Sequence, residues 1–234
     1  RVQPGVWFRD FENETAKKNL LLPCYPASKD ICTLGGMVGN NSGGEKTLRY
    51  GKTEDYVMEL KVVLQDGKEY VVKPLLPHEL KEKMAIAGFE GELYQKLFTL
   101  VKENESLLLQ AKPKVSKNSA GYYLWNIWNG KTFDVTKLFV GSQGTLGIVT
   151  EITFLLVVPE KHSTLLVLFL YNFAPLAEIT SKLLLHKPES LESYDDHTLR
   201  FAMSHIPDFI KLLKGNIISL AFQFIPEFFM FLKG

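Results

Sequence analysis

Six glycines lie close together in one short stretch of the chain, residues 33–51 (TLGGMVGNNSGGEKTLRYG). Glycine loses the most backbone entropy on folding, so this density indicates a backbone that bends sharply or approaches another group closely. Bare backbone N–H groups can donate to phosphate oxygens, and Thr33, Asn40 and Ser42 add side-chain donors. Composition alone favours a phosphate-binding loop and a purely structural glycine loop about equally.

The spacing of these glycines excludes two familiar nucleotide-binding motifs. Gly39 and Gly44 have the separation of a P-loop, G-x-x-x-x-G-K-[ST], but Glu45 stands between Gly44 and Lys46. This insertion moves the lysine off the phosphates and places a carboxylate beside them. The chain also has no G-x-G-x-x-G between a strand and a helix, so a Rossmann dinucleotide site is not indicated.

No group of residues in the sequence predicts a catalytic or metal centre. The five histidines have no ligand spacing, and the side chains of adjacent Asp195 and Asp196 point in different directions. Asp195 is instead a natural helix N-cap. Cys24 and Cys32 are eight positions apart with no second pair, so we expect two free thiols. The sequence therefore predicts a binding loop, no metal site and no identifiable catalytic residue.

The overall composition is that of an ordinary globular protein. The chain has 234 residues, of which 46% are hydrophobic and 23% are charged, and its formal net charge is +1. This length allows a substantial core. The charge balance provides no broad basic surface, so we expect no nucleic-acid partner.

Around the glycine-rich stretch, the pattern predicts a hairpin, two helices and a long strand. Asp66-Gly67 between two β-branched runs is a strong hairpin signal, and positive φ is expected at both central residues. Pro77 is expected to begin a charged helix, and a longer helix is expected over 91–109. A sharp turn at 141–144 leads into a strand rich in Ile, Val and Thr.

The residues after Pro159 follow a second pattern. The expected elements are strands over 164–171 and 189–195 and helices over 174–186 and 196–214. This order indicates that a second α/β unit begins at residue 160. The apolar run 216–234 is interrupted by polar residues and is too short to span a bilayer, which favours a buried helix over a membrane-surface element.

Four aromatic residues between positions 122 and 128 have two interpretations. Tyr122, Tyr123, Trp125 and Trp128 either fill the core and cover its edge, or stack directly on a ligand. The first interpretation is favoured because closely spaced aromatics usually pack against one another and against the core.

Three ordered motifs carry a resemblance to a known family. They are CTLGGMVGNNSGG, LRYGKTEDYVMELKVVLQDG and LFVGSQGTLGIVTEITFLLV. Together they resemble the FAD-binding PCMH-type domain of the vanillyl-alcohol oxidase and p-cresol methylhydroxylase family. Within that family they are most similar to the glycolate oxidase and D-lactate dehydrogenase branch, whose members are FAD-linked oxidases.

The resemblance implies an α+β fold and an FAD cofactor. Residues 1–159 would form an FAD-binding domain of two α/β subdomains, the first of them incomplete, and residues 160–234 would begin an α/β substrate-capping domain. The chain would then be a piece of a longer protein that lacks both ends. The residues that the resemblance places in contact with FAD are Pro26, Ser28, Thr33, Leu34, Gly35, Gly36, Asn40, Gly43, Gly44, Gly51, Ile148 and Val149.

The implied function is oxidation of a 2-hydroxy acid of the glycolate or D-lactate type, with hydride transfer to flavin N5. Two alternatives are a non-catalytic flavin-binding subunit of a larger oxidase complex and a related FAD oxidase that acts on another alcohol.

The implied partners are the small substrate and an electron acceptor or iron–sulfur protein. The implied location is the cytoplasm, with peripheral contact at the inner face of the membrane. The catalytic residues would lie outside this piece, so we expect the piece alone to be inactive.

Overall fold

The structure is a computed structural model that describes residues 1–115 and 118–205. Its fold class is α+β. The helices are α1 (Phe8–Ala16), α2 (Leu34–Asn40), α3 (Thr47–Tyr50), α4 (Pro77–Ala85), α5 (Phe89–Glu103), α6 (Glu105–Ala111), α7 (Thr136–Phe139), α8 (Leu176–Leu184) and α9 (Asp196–Ser204). The strands are β1 (Val57–Val63), β2 (Glu69–Val72), β3 (Pro74–Leu75), β4 (Phe133–Asp134) and β5 (Ile148–Phe154). The chain divides into two compact units, residues 1–191 and 192–234.

An antiparallel sheet in the order β2-β1-β5 is the centre of the first unit. From Leu60 to Val63 of β1, buried residues alternate with partly exposed residues, as a half-buried strand requires. Leu60 lies opposite Val72 on one side and Ile152 on the other. Leu60 and Ile152 are both completely buried, so the register is set by the side chains that reach the core.

The predicted hairpin around Asp66-Gly67 is confirmed, but its turn differs from the expected one. Gly67 has a φ of 76°, whereas Asp66 does not have positive φ. The Gly67 amide donates to the Leu64 carbonyl at 2.9 Å, and the Leu64 amide donates to the Lys68 carbonyl at 3.1 Å. The connection is therefore a three-residue loop in which glycine supplies one left-handed residue.

The two helices predicted after the hairpin are present, and one of them is interrupted. Helix α4 begins at Pro77 as predicted, and the Glu79 carboxylate accepts a hydrogen bond of 2.7 Å from the Leu76 amide before it. The helix predicted over 91–109 is two helices, α5 and α6, because the chain breaks at Asn104. The Asn104 side chain donates to the Leu100 carbonyl at 2.9 Å and so ends α5.

The aromatic stretch at 122–128 mainly covers the core, which supports the favoured interpretation. Tyr123 is buried and stacks on Trp125 at a centroid distance of 5.2 Å. Trp128 packs against the fully buried Phe133 of β4. Tyr122 is the exception, since its side chain is 44% exposed and its hydroxyl pairs with that of Thr145 at 2.8 Å.

The two strands predicted after Pro159 are wrong. Residues 164–171 and 189–195 form no strand. The apolar sequence of the first segment is typical of a strand, but a strand is stabilised by hydrogen bonds to a neighbouring strand, and the described residues provide none for it. The predicted helix at 174–186 is confirmed as α8.

The second unit is described only between residues 192 and 205. Helix α9 begins where predicted, and the Asp195 carboxylate accepts a hydrogen bond of 2.7 Å from the Thr198 amide, so its role as N-cap is confirmed. The rest of the helix predicted over 196–214 and the apolar run 216–234 lie outside the described residues. Among the helices that are described, none has the length and apolarity needed to cross a bilayer.

Candidate FAD site

The first part of the glycine-rich stretch is a helix, not the loop that its composition predicted. Helix α2 begins after Thr33, whose side-chain oxygen accepts a hydrogen bond of 3.2 Å from the Gly36 amide. It buries Leu34, Met37 and Val38 completely. It ends at Asn41, which has a left-handed conformation with a φ of 47°. Burial of one apolar face and two end caps therefore outweigh the poor helix propensity of the glycines.

Several of the glycines are required by contacts within the protein. A Cβ atom at position 35 would lie 2.6 Å from the Cβ atom of Pro4, and one at position 44 would lie 2.3 Å from the carbonyl oxygen of Tyr25. At Gly51, φ is 76° and a Cβ atom would lie 2.2 Å from a carboxylate oxygen of Asp55. Close approach of the backbone to other parts of the chain thus explains these positions.

The backbone amides at the start of α2 already have acceptors. The Leu34 amide donates to the Val6 carbonyl at 3.0 Å, and the Gly35 amide donates to the Pro4 carbonyl at 2.8 Å. The Gly36 amide is bound by the Thr33 side chain. The Gly35 and Gly36 amides therefore have acceptors within the protein, and the predicted contact of these two residues with FAD stays a prediction.

Four consecutive amides, from Gly43 to Lys46, have a different environment. Within the part of the chain that the structure describes, none of these N–H groups donates to a protein acceptor. The chain on either side is held in place, since the Ser42 amide donates to the Met37 carbonyl and the Thr47 amide to the Gly44 carbonyl, both at 3.0 Å. A run of free amides on a fixed backbone is a suitable binding surface for phosphate oxygens.

Two buried side-chain atoms beside these amides also have no partner among the described residues. They are the Nδ2 atom of Asn41 and the Oγ1 atom of Thr47. Asn41 is only 2% exposed, and its other side-chain atom, Oδ1, accepts a hydrogen bond of 3.0 Å from the Glu54 amide. Buried polar atoms are usually paired, so these two donors are consistent with a polar ligand here.

The turn at 141–144 packs directly against the C-terminal end of α2. The Gly141 amide donates to the Val38 carbonyl at 2.8 Å, and the Gln143 amide donates to the Gly39 carbonyl at 2.9 Å. The Gln143 side chain reaches Asn40 Oδ1 at 3.2 Å. The fold thus brings together two motifs that are about a hundred residues apart in the sequence, as their order in the resemblance implied.

The strand that follows this turn is β5. Ile148 and Val149 lie opposite Val63 and Val62 of β1, so one edge of β5 is paired. On its other edge, the described pairing is a bridge between Ile152 and Val2. The Ile148 side chain is 69% exposed. The main chain at Ile148 and Val149 therefore lies at the outer edge of the sheet, where a ligand can reach it.

Pro26 and Ser28 lie in the irregular segment before α2. Pro26 lies beside Gly44, and its Cα atom would be 3.2 Å from a Cβ atom at that position. The Ser28 side chain is exposed, and its carbonyl accepts hydrogen bonds of 3.0 Å from the Ile31 and Cys32 amides. Pro26 thus contacts the run of free amides, whereas Ser28 organises the turn that leads to α2.

Lys46 and Arg49 make ion pairs with residues of the segment after Pro159. The Nζ atom of Lys46 lies 2.8 Å from Oε1 of Glu189, and an Nη atom of Arg49 lies 2.6 Å from Oε1 of Glu160. The lysine is thus paired with a carboxylate, in agreement with the argument that the stretch is not a P-loop.

A buried polar cluster beside the glycine-rich stretch was not predicted. Lys52 is 7% exposed, and its ammonium group donates to the Asn118 carbonyl, to the Tyr123 hydroxyl at 3.1 Å and to Glu54 at 3.3 Å. Lys137 also donates to the Glu54 carbonyl. Lysine is seldom buried, and the sequence contains no signal that Asn118 and Tyr123 are partners of Lys52.

Both cysteines are free, as predicted. Cys24 is completely buried, and this burial raises the pKa of its thiol to about 12. Cys32 is partly buried, and desolvation raises its thiol pKa as well. Neither environment is that of a reactive thiolate. Among residues 1–115 and 118–205 there is also no group of three or more side chains that could hold a metal ion.

Comparison with known proteins gives related sequences that bear on this geometry. Residues 1–73 match a family model described as an FAD binding domain. The chain is 34% identical to the glycolate oxidase subunit GlcD of Bacillus subtilis (strain 168) over 201 residues, which are 85% of this chain and 32% of that protein. It is 35% identical to a D-2-hydroxyglutarate dehydrogenase of Pantoea ananatis over 128 residues, 53% of this chain and 12% of that protein. It is 30% identical to a D-lactate dehydrogenase of Anaerostipes hadrus over 172 residues, 74% of this chain and 25% of that protein.

The chain therefore spans about a third or less of the length of these relatives. The matched residues 1–73 include α2, the four free amides and strand β1. A surface that suits phosphate oxygens thus lies within the region that matches the family model. Residues 1–73 match the FAD binding domain family, and the cofactor of this protein is FAD.

Proposed function

We propose that the protein containing this chain is an FAD-linked oxidoreductase that oxidises a 2-hydroxy acid. The observation that carries the proposal is the run of four free amides from Gly43 to Lys46 inside the region that matches the FAD binding domain. The substrate class is supported by the names of the relatives, which refer to glycolate, D-lactate and D-2-hydroxyglutarate. These three are all 2-hydroxy acids.

We infer that the twelve predicted contact residues serve FAD in two ways. Gly43 and Gly44 offer their amides to the pyrophosphate, with the Thr47 hydroxyl and the Asn41 side-chain amide as additional donors. The main chain of Ile148 and Val149 is accessible to the adenine at the outer edge of β5. The remaining residues hold this surface in shape: Pro26, Ser28, Thr33, Leu34, Gly35, Gly36, Asn40 and Gly51.

The contribution of these residues to the reaction is binding and orientation. When bound, FAD supplies the hydride acceptor, flavin N5. Fixed amides and paired side chains provide a preorganised surface, so little reorganisation is needed when the cofactor binds. None of the described side chains is assigned as the base that takes the hydroxyl proton.

We also propose an electron-accepting partner, such as an iron–sulfur protein, and a cytoplasmic location with peripheral membrane contact. The support for a partner is that the Bacillus subtilis relative is named as a subunit. The extents of the two domains, residues 1–159 and 160–234, stay a prediction.

Two measurements test the proposal. FAD is first titrated into the purified chain, and quenching of flavin fluorescence is expected to saturate. Glycolate, D-lactate and D-2-hydroxyglutarate are then added without oxygen to the full-length protein that contains these residues, and one of them is expected to bleach the visible flavin absorbance. Bleaching only by another alcohol would favour a related oxidase with a different substrate. Saturable FAD binding without bleaching by any substrate would favour a non-catalytic flavin-binding subunit.

A further inference from the structure

Glu45 places a negative charge beside the amides that are free to bind phosphate. Its own N–H group is one of the four unpaired amides between Gly43 and Lys46 in the described chain. A carboxylate so close to a pyrophosphate is unfavourable because like charges repel. The charge of Glu45 must therefore be directed elsewhere if the site is to accept FAD.

The structure shows where this carboxylate is directed. The hydroxyl of Tyr25 donates a hydrogen bond of 3.0 Å to Oε1 of Glu45. Tyr25 is well fixed for this task, since it is 8% exposed and its ring packs on the Phe8 ring at a centroid distance of 5.6 Å. Its carbonyl oxygen also lies against Gly44. The residue that binds the carboxylate is thus part of the wall of the same loop.

Without this hydrogen bond, the carboxylate would have other acceptable partners in its own loop. Carboxylates elsewhere in this chain bind the backbone amides of nearby residues: Asp55 accepts from the Lys52 amide at 2.9 Å, and Glu79 accepts from the Leu76 amide at 2.7 Å. The four free amides at 43–46 are donors of the same kind. A released Glu45 side chain would compete with phosphate oxygens for them.

Four other charged groups lie around Tyr25. Two are cations that lie over its ring, Lys29 at 4.9 Å and Lys46 at 5.9 Å from the ring centroid. Each of them is paired with an acid, Lys29 with Glu12 at 3.0 Å and Lys46 with Glu189 at 2.8 Å. Lys29 and Lys46 are therefore already paired with other acids. The Tyr25 hydroxyl is the group that binds the Glu45 carboxylate.

We propose that Tyr25 is a positioning residue of the FAD site, whose hydroxyl holds the Glu45 carboxylate away from the phosphate-binding amides of residues 43–46. This inference rests on the assignment of FAD to the site. It attributes to Tyr25 an effect on cofactor binding that depends on the charge of residue 45 and not on the tyrosine ring.

The test is a set of FAD titrations with four variants: Tyr25→Phe, Glu45→Gln, the double variant and Tyr70→Phe. Tyr25→Phe keeps the buried ring and removes the hydroxyl, and it is expected to raise the Kd for FAD roughly three- to tenfold, because the released Glu45 carboxylate can approach the phosphates. Glu45→Gln removes the charge and is expected to leave the Kd unchanged or lower. Adding Glu45→Gln to Tyr25→Phe is expected to restore the Kd to that of Glu45→Gln alone.

Tyr70→Phe is the matched control. Tyr70 also donates its hydroxyl to a carboxylate, that of Asp66 at 2.5 Å, but in the hairpin between β1 and β2. The Kd of the Tyr70→Phe variant for FAD is expected to equal that of the unmodified chain. High salt is a second readout, because screening is expected to shrink the defect of Tyr25→Phe. Loss of packing alone would not respond to salt or to Glu45→Gln in this way.

The outcomes distinguish this inference from the assignment of the cofactor. If neither the unmodified chain nor any variant binds FAD, both the FAD site and this inference are contradicted. If the chain binds FAD and Tyr25→Phe has no effect, the inference alone is wrong. It is also wrong if the double variant binds as weakly as Tyr25→Phe, since the effect would then come from the tyrosine and not from the charge of Glu45.

Discussion

At position 44, a Cβ atom would lie 2.3 Å from the carbonyl oxygen of Tyr25. The backbone near Gly44 and the backbone near Tyr25 are both held by hydrogen bonds, so neither segment can move away from the other without a cost in free energy. A glycine that looks like a cofactor contact in the sequence is thus also required for folding. Loss of FAD binding in a variant at this position would not by itself identify a direct contact with the cofactor.

We therefore predict that Gly44→Ala destabilises the fold by about 1–3 kcal/mol, the usual cost of forcing extra volume into a packed site. Gly5→Ala is the control, because a Cβ atom at position 5 would meet nothing within 4 Å. Thermal unfolding without FAD measures both variants. Equal melting temperatures for Gly44→Ala and Gly5→Ala would contradict the packing argument.

The two thiols are expected to differ in their reaction with a thiol reagent. Burial keeps Cys24 protonated at pH 8 because its pKa is raised to about 12, and its side chain is also inaccessible. We predict that a disulfide reagent at pH 8 labels Cys32 in the folded chain and Cys24 only after urea is added. The Cys32→Ser variant leaves Cys24 as the single thiol, so that its labelling can be followed alone. Rapid labelling of Cys24 in the folded variant would show that its environment is not the one described.

At the scale of elements, local signals were enough to predict the hairpin of β1 and β2, the beginning of α4 at Pro77 and the N-cap of α9 at Asp195. Each depends on residues within a few positions of one another: a glycine that can adopt positive φ, a proline in a first turn, and a carboxylate that accepts from an amide three residues later. Such interactions form in the same way in any fold, and for this reason the sequence reveals them.

Lys52 and Glu54, just after the glycine-rich stretch, contact the 118–126 segment and form a buried ion pair. The side chains of Lys52 and Glu54 are only 9% and 12% exposed. We predict that Lys52→Met costs about 3 kcal/mol, because it leaves a buried carboxylate without its cation. Lys17→Met, which breaks the exposed pair with Glu14, is expected to have no measurable effect. Urea unfolding measures both.

A double variant separates the charge effect from lost packing. Lys52→Met with Glu54→Gln leaves no unpaired charge, so it is expected to be more stable than Lys52→Met alone. A double variant that is less stable by the sum of the two single changes would show that the ion pair is not coupled and that the lysine acts through its hydrocarbon chain.

At the scale of the whole molecule, the segment after β5 exposes an unusual amount of apolar surface. Leu165 is 86% exposed, Phe169 is 70% exposed and Tyr171 is fully exposed. Contiguous apolar surface of this kind promotes association or binding of apolar probes. The segment has the composition of a strand but none of the pairing of one within the described residues.

We predict that Leu165→Ser with Phe169→Ser lowers the binding of a hydrophobic fluorescent dye and reduces self-association, without lowering the melting temperature. Ile31→Ser is the control, since Ile31 is similarly exposed, at 71%, but lies outside this segment. Dye fluorescence and light scattering of the purified chain measure the effect. A drop in melting temperature in the double variant would indicate that these side chains are buried in the folded chain.

The sequence by itself determined which residues could form the site. Glycine density identified the stretch from 33 to 51, and the family resemblance carried by three ordered motifs implied α+β structure and FAD. The resemblance also implied that the turn at 141–144 belongs to the same site, and the fold brings that turn to α2 through two hydrogen bonds from Gly141 and Gln143.

Only the tertiary structure decided how those residues are used. Burial of Leu34, Met37 and Val38 makes a helix of the glycine pair at 35 and 36, and the amides of this pair are bound by the Pro4 carbonyl and the Thr33 side chain. The free amides lie at 43–46 instead, where Tyr25 binds the carboxylate of Glu45. The physical reason is that a backbone donor is available to a ligand only if no other part of the chain has bound it. Those competing acceptors are brought together by packing between distant segments.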